Sequence, residues 1–413
     1  MPNAIVYAVP LFILLLVVEM LWGAWRHKQT FALSDTLSSI SLGLSGQVVN
    51  LFVRVLNFGV YVLAYQYLAL FELDTSQWWV WAIGLIGYDF CYYWHHRMGH
   101  EVNLLWASHV VHHSSEEYNY ATAMRQTSTG FLSNWVFYWP LALIGIPPTV
   151  FVIAGAVVLG YQFWVHTRHV GSLGWFDRWF CSPSNHRVHH GQNAYCVDRN
   201  YAGVLMIWDR MFGTFAEERP ESEEPIIYGI HGQLKTFDPL RANFHKYGDL
   251  YADFRLADNW KDRIKVWFAR PGWRPAAAER LDPKKPYDIA EFRIYRPRIS
   301  TATSIYCVLQ MLLLMVLGLG LLAFAAQMPL TWKLLGAAWV LATVWIMGRT
   351  LENRPGHARW QWLWLFSLSV PALIVHQHWG LPPTWAALLA LPLLGVLAFA
   401  LLRAVRQLQP VEA

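Results

Sequence analysis

Eight histidines in three short clusters, His96-x3-His100, His109-x2-His112-His113 and His186-x2-His189-His190, are the residues of this 413-residue chain whose types and spacing most directly imply chemistry. Residues three or four apart on a helix share one face, so each cluster presents several imidazoles to one side. Structural zinc takes four ligands and catalytic zinc three, so eight converging nitrogens predict two metals, in a polynuclear site held at a bilayer surface. Imidazole suits iron, copper, zinc and nickel alike, and ligand type alone leaves the metal open. Cys91, Cys181, Cys196 and Cys307 show no CxxC spacing, which argues against iron–sulfur clusters and a disulfide framework.

The elements that must position these histidines read as membrane. The chain is 55% hydrophobic and only 14% charged, against roughly 25% charged in soluble proteins. Its 24 Trp and 19 Tyr suit interfacial belts. Apolar runs near 4–25, 37–70, 78–95, 131–146, 149–165, 303–325, 331–348, 361–379 and 384–402 predict spans. The first has no A-x-A site after it and is followed by Arg26 and Lys28, which predicts a retained anchor. At about 1.5 Å per residue the run at 37–70 extends about 51 Å, beyond a hydrocarbon core of roughly 30 Å. It is expected to be tilted, broken or partly interfacial, with Arg54 midway snorkelling, paired or functional. The pair 131–146 and 149–165, separated by Ile146-Pro147-Pro148, predicts a hairpin that returns the third histidine cluster to the first two.

Segments 71–77, 146–148, 326–330 and 380–384 contain no Lys or Arg, whereas 26–36, 97–125, 166–302, 349–360 and 403–413 hold most of the basic residues. The positive-inside rule assigns the second set, with all three clusters, to the cytoplasmic side. The predicted fold is all-α, a polytopic membrane helical bundle with a cytoplasmic histidine-rich cap. Residues 1–77 form N-terminal membrane helices, 78–300 the metal-bearing domain with its cap, and 301–413 a C-terminal four-helix membrane region. Within the cap, the acidic run 217–224 reads as a solvated loop. The basic, aromatic-rich stretch from Arg255 to Arg298 suits anionic headgroups better than nucleic acid.

Asp89-x2-Tyr92-Tyr93-x2-His96-Arg97-x2-His100, with the two later clusters, resembles the membrane fatty acid hydroxylase and sterol desaturase superfamily. The stretches Trp94 to Asn103, His112 to Asn119 and Ala123 to Gln126 resemble its alkylglycerol monooxygenase branch. Downstream, Asn193, Asp198 to Gly203 and Trp208 to Thr214 look like the segment that follows the third cluster across the superfamily. The resemblance covers roughly residues 1–300. It implies a non-haem di-iron centre that activates O2, with His96, His100, His109, His112, His113, His186, His189 and His190 as ligands. His166 is a candidate ninth ligand; His169 is a weaker one, and His95 points about 100° away from His96. Glu101 matches an acidic residue of that branch and is the candidate catalytic side chain, ordering a ligand, a cofactor or a proton path, or else a helix-end salt bridge. Asp89, Asp198 and Asp209 are candidate hydrogen-bond partners of the ligating rings.

The resemblance further implies a lipid monooxygenase that hydroxylates the carbon beside an ether oxygen, giving a fatty aldehyde and a glycerol derivative. The alternative is another hydroxylase or desaturase of the superfamily, acting on a fatty acyl, sterol-like or aminolipid substrate. No nucleotide-binding glycine fingerprint stands in a soluble context, so electrons come from outside: from tetrahydrobiopterin, as in that branch, or from a cytochrome b5-like or ferredoxin-like protein. The membrane is the cell membrane in a bacterium and the endoplasmic reticulum in a eukaryote. A bis-histidine haem protein fits adjacent His-His doublets poorly, and a metal transporter would place its ligands at the bilayer midplane.

Overall fold

The structure is a computed structural model that describes residues 4–379, so the expected span at 384–402 lies outside it, as does the side chain of Arg54. The described residues are helical, with two isolated bridges, Phe180 to Leu205 and Gly191 to Tyr228, and no named strand. In chain order the helices are α1 (Ala4–Trp25), α2 (Leu33–Leu68), α3 (Trp78–Glu101), α4 (Asn103–His113), α5 (Tyr120–Met124), α6 (Trp139–Ile144), α7 (Pro148–Trp164), α8 (Trp175–Trp179) and α9 (Pro183–His189). There follow α10 (Ile207–Met211), α11 (Pro239–Leu256), α12 (Trp260–Phe268), α13 (Ala276–Leu281), α14 (Thr301–Phe324), α15 (Leu330–Leu351), α16 (His357–Ser367) and α17 (Ser369–Trp379).

Four stretches among the described residues are long and apolar enough to cross a bilayer: Ala8–Trp25, Leu33–Val53, Thr301–Phe324 and Leu330–Leu351. The chain is a membrane protein. The run at 37–70 forms one unbroken helix, α2. The expected span at 131–146 is corrected to two 3-10 turns, Gly130–Leu132 and Asn134–Tyr138, followed by the six residues of α6. Pro140 lacks the N–H that a helix arriving from residue 131 would need, and Gly145 ends α6 at a left-handed φ of 96°. The hairpin therefore keeps one long arm, α7, whose 17 residues reach only about 25 Å. The run at 361–379 divides at Leu368, with Pro371 in the first turn of the second piece. α3 forms over the predicted run, but its last two turns carry His95, His96, Arg97, His100 and Glu101, and it is not among the four stretches apolar enough to span.

α2 organises the rest. Leu37, Ile40, Leu44 and Val48 pack with Leu314 of α14 and Val340 and Val344 of α15 in one core. Its polar face, Asp35, Ser38, Ser39, Ser41 and Ser45, is buried as well. The guanidinium of Arg125, 1% exposed, meets that face. It donates to Ser38 and Ser39 and lies 3.8 Å from Asp35, while its Nε donates to the Val111 carbonyl at 3.0 Å and to Ser114 at 3.1 Å. A single side chain thus ties α2 to the end of α4.

The acidic run is less free than its composition predicts. Arg187 donates through Nε and one terminal nitrogen to the two oxygens of Glu218, both at 2.6 Å, and Glu221 reaches Arg168 and Lys28.

Close approach of α2 to α5 depends on Gly43, since a Cβ there would sit 2.3 Å from the Met124 carbonyl oxygen. Gly43→Val is expected to push the helices apart and to cost about 1–3 kcal/mol, read as a lowered melting temperature by circular dichroism of the detergent-solubilised protein.

Candidate metal centre

Four elements deliver nine histidines. α3 supplies His96 and His100 one turn apart; Val102, extended at φ −125° and ψ 121°, then breaks the helix. α4 starts directly afterwards and brings His109 back until its ring centroid lies 4.8 Å from those of His96 and His100. His166 follows the end of α7. Ser182 caps α9 in a reciprocal arrangement with Asn185, and Pro183 takes the first turn, which fixes the direction of the short helix whose last turn carries His186 and His189 and whose C-cap is His190.

The nine form two groups. In the first, His96, His100, His109, His113 and His189 each offer a nitrogen, all within 4.8 Å of one another; His112, His166, His186 and His190 do the same in the second. His109 and His112 are partly buried and the other seven are buried. All nine candidate ligands are therefore brought together, His166 included.

Backbone carbonyls set the orientation of four of the nine rings. Nδ1 of His96 lies 2.8 Å from the Tyr201 oxygen, that of His112 3.0 Å from Arg125, that of His166 2.7 Å from Gln162 and that of His189 2.9 Å from Arg199. A carbonyl only accepts, so each Nδ1 carries the hydrogen and each neutral ring presents its Nε2 lone pair to the interior. Burial pushes the His112 imidazole down to about 4 and that of His189 to about 3, which keeps both neutral near pH 7.

This donor set fits metal cations. The Nε2 atoms of His112 and His166 face each other at 3.3 Å with no hydrogen to share. His96 and His109 meet through Nε2 at 3.1 Å, as do His113 and His189. Among the described residues the buried Nε2 of His100 has no hydrogen-bond partner. Metal–imidazole bonds of about 2.1 Å would hold neighbouring nitrogens roughly 3 Å apart, and a cation turns lone-pair repulsion into bonding.

The carboxylates expected beside the rings act one step further out. Asp209 accepts from the amides of Tyr201 and Ala202, both at 2.8 Å, and from Thr214 at 2.7 Å, despite burial that raises its pKa to about 6. Asp89 accepts from the amides of Val204 and Leu205 and from the Trp208 indole. Asp198 takes a left-handed φ of 58° where the same loop turns. Among the described residues none of the three is bonded to a clustered histidine; together they hold the loop whose carbonyls at 199 and 201 orient His189 and His96. Those carbonyl acceptors are invisible in side-chain types. The usable signal was Asn200, an Asn at a left-handed φ of 56° within Asp198-Arg199-Asn200-Tyr201.

Glu101 accepts from Arg97 at 2.9 Å and from Arg270 at 3.3 Å, and stands in neither histidine group. His95 turns away to Asn134, 3.0 Å distant, and His169 to Thr30.

A cavity of about 510 Å3 opens onto both groups through His96, His109, His112 and His166. Val9 and Phe12 of α1, Leu44 of α2, Val158 and Leu159 of α7 and Leu319 and Leu322 of α14 supply apolar wall. Gln47, Gln126, Thr127 and Asn134 supply neutral polar wall; among the described residues no Asp, Glu, Lys or Arg lines it.

Residues 81–214 match the family model Fatty acid hydroxylase. With the membrane helices and the paired histidine groups, that match defines a membrane lipid monooxygenase. The alkylglycerol monooxygenase of Homo sapiens is 36% identical over 357 residues, covering 86% of this chain and 79% of its own length. The alkylglycerol monooxygenase of Danio rerio is 36% identical over 390 residues, covering 94% and 85%. The chain belongs to the alkylglycerol monooxygenase family. A more distant relative, the ornithine lipid hydroxylase OlsE of Rhizobium tropici, is 31% identical over 156 residues, 36% of this chain and 45% of its own. No solved structure matches.

Asp209→Ala should leave two buried amides unpaired and release the Tyr201 carbonyl from its position over His96. The expected cost is about 2–5 kcal/mol of stability and roughly 10–100-fold in metal affinity, measured by thermal melting and by competition with a chelator.

Proposed function

We propose that this chain holds two iron ions, one on His96, His100, His109, His113 and His189 and the other on His112, His166, His186 and His190, and cleaves the ether bond of alkylglycerols. When bound, the irons supply dioxygen activation and the oxygen atom that enters the C–H bond next to the ether oxygen. The net change is R–CH2–O–R′ + O2 + 2 e− + 2 H+ to R–CH(OH)–O–R′ + H2O, after which the hemiacetal collapses to R–CHO and HO–R′. Tetrahydrobiopterin is the proposed electron source, and the histidine groups are proposed to lie on the cytoplasmic side.

The observation that carries this reading is an uncharged cavity reaching histidines of both groups. An alkyl chain fits the apolar wall built by α1, α7 and α14, and neutral glycerol hydroxyls suit the amides of Gln47, Gln126 and Asn134, which can donate and accept without a net charge to neutralise. The wall also excludes water from the reacting carbon. The carbonyls of residues 125, 162, 199 and 201 fix four of the rings, two in each group, so part of the donor set is preorganised before metal or substrate arrives. A zwitterionic headgroup, as in an ornithine lipid, would find no ionic partner on this cavity wall, which disfavours the alternative of an aminolipid hydroxylase.

The test is aerobic turnover of the purified, iron-quantified protein with an alkylglycerol and tetrahydrobiopterin, followed by fatty aldehyde release. The expected result is aldehyde from protein carrying about two irons per chain. His112→Ala and His189→Ala should lower iron content and cut turnover by more than about 100-fold while the protein stays membrane-inserted. Wild-type activity in either variant would sink the ligand assignment, and two irons without aldehyde would redirect the reading to another lipid hydroxylase.

A further inference from the structure

The basic, aromatic stretch of the cap includes a short helix that the reaction does not use. On α12, Trp260, Ile264 and Phe268 are 68, 58 and 63% exposed, and their i, i+4, i+8 spacing makes them one stripe. The other side of the helix is anchored, with Val266 fully buried against Ala107 and Leu250. Charge flanks the stripe on both edges. Lys261 and Lys265 are exposed along one; Arg263 lies along the other, its guanidinium 5.0 Å from the Trp260 ring centroid. None of the three has a carboxylate partner among the ion pairs of the described residues.

We infer that α12 lies in the headgroup layer of an anionic leaflet, with its aromatic stripe among the upper acyl carbons and its cations on lipid phosphates. An apolar stripe edged by Lys and Arg is the pattern of a helix that sits in the plane of an interface. Charge argues for lipid over a second copy of the chain. A two-fold pairing of this face would set the lysines of one copy against those of the other. The helix has a firm purchase on the protein: the Asn103 amide donates to the Ala269 carbonyl and the Asn103 side chain to that of Val266, both at 2.9 Å. The bilayer surface is thereby fixed to the first residue of α4, the helix that carries His109, His112 and His113. The inference stands independently of the reaction proposed above.

All four native cysteines are buried, so an environment-sensitive thiol dye attached to Ile264→Cys reports on this face alone. The labelled full-length protein is placed one chain per nanodisc, either in phosphatidylcholine or in phosphatidylcholine with a third phosphatidylglycerol. A spin-labelled lipid with its nitroxide near the head of the acyl chain serves as quencher. The expected result is blue-shifted, quenched emission in the anionic discs, weaker in phosphatidylcholine and weakened by salt. Lys261→Gln and Lys265→Gln should each reduce the anionic-lipid preference about fivefold, with unchanged metal content as the check on folding. Water-like, unquenched emission overturns the inference, and so does quenching that is equal in the two lipids. A blue shift seen only in discs loaded with two chains would assign the face to self-association instead.

Discussion

Lone pairs aimed at one another across about 3 Å inside a buried volume repel unless a cation stands between them, and the surrounding fold is built to hold the rings against that repulsion. For four of the nine rings the restraint is a backbone carbonyl. Carbonyls of residues 125, 162, 199 and 201 capture the Nδ1 hydrogens of four rings, and a carbonyl, unlike a carboxylate, adds no formal charge beside rings that are themselves neutral. The electrostatic character of the centre is therefore set by uncharged donors, with the nearest carboxylates kept behind the loop.

Holding a carbonyl in place requires holding its chain segment, and here the fold commits buried polar side chains. Arg125 is enclosed by α2 and α4 and occupied by Ser38, Ser39, Ser114 and the Val111 carbonyl; its own carbonyl meets His112. Asp35, Ser38 and Ser39 of α2 are thus the counterpart of one guanidinium. On the opposite side Asp209, Thr214, Tyr93 and Arg97 form a connected chain of hydrogen bonds behind Tyr201. A buried charge left without such partners would cost several kcal/mol, so these networks stand or fall as units.

The histidines were legible in the sequence because helical spacing converts directly into a shared face, and His166 was legible because it follows the apolar run that becomes α7. The all-helical class and four spanning stretches followed from apolar length alone. Length misled at 131–146 and 361–379, where Pro140, Gly145 and Pro371 interrupt runs that remain hydrophobic throughout; apolarity reports burial and says little about continuity. The carbonyl restraints could not be read at all, since every residue has a carbonyl and only the tertiary fold decides which ones turn inward. Asp89 and Asp209 were singled out as partners of the rings, and they proved to bind the loop, because a carboxylate close to a neutral imidazole cannot be distinguished in sequence from one a residue layer away.

The cavity draws its histidines from α3, α4 and the end of α7 but one side of its apolar wall from α1 and α14, helices outside the stretch 81–214 that matches the hydroxylase family. One part of the cavity wall is thereby encoded away from the stretch that carries the histidines. Changes at Phe12, Leu319 or Leu322 would reshape that part of the cavity while leaving every clustered histidine in place, so this lineage can vary one wall without touching the rings.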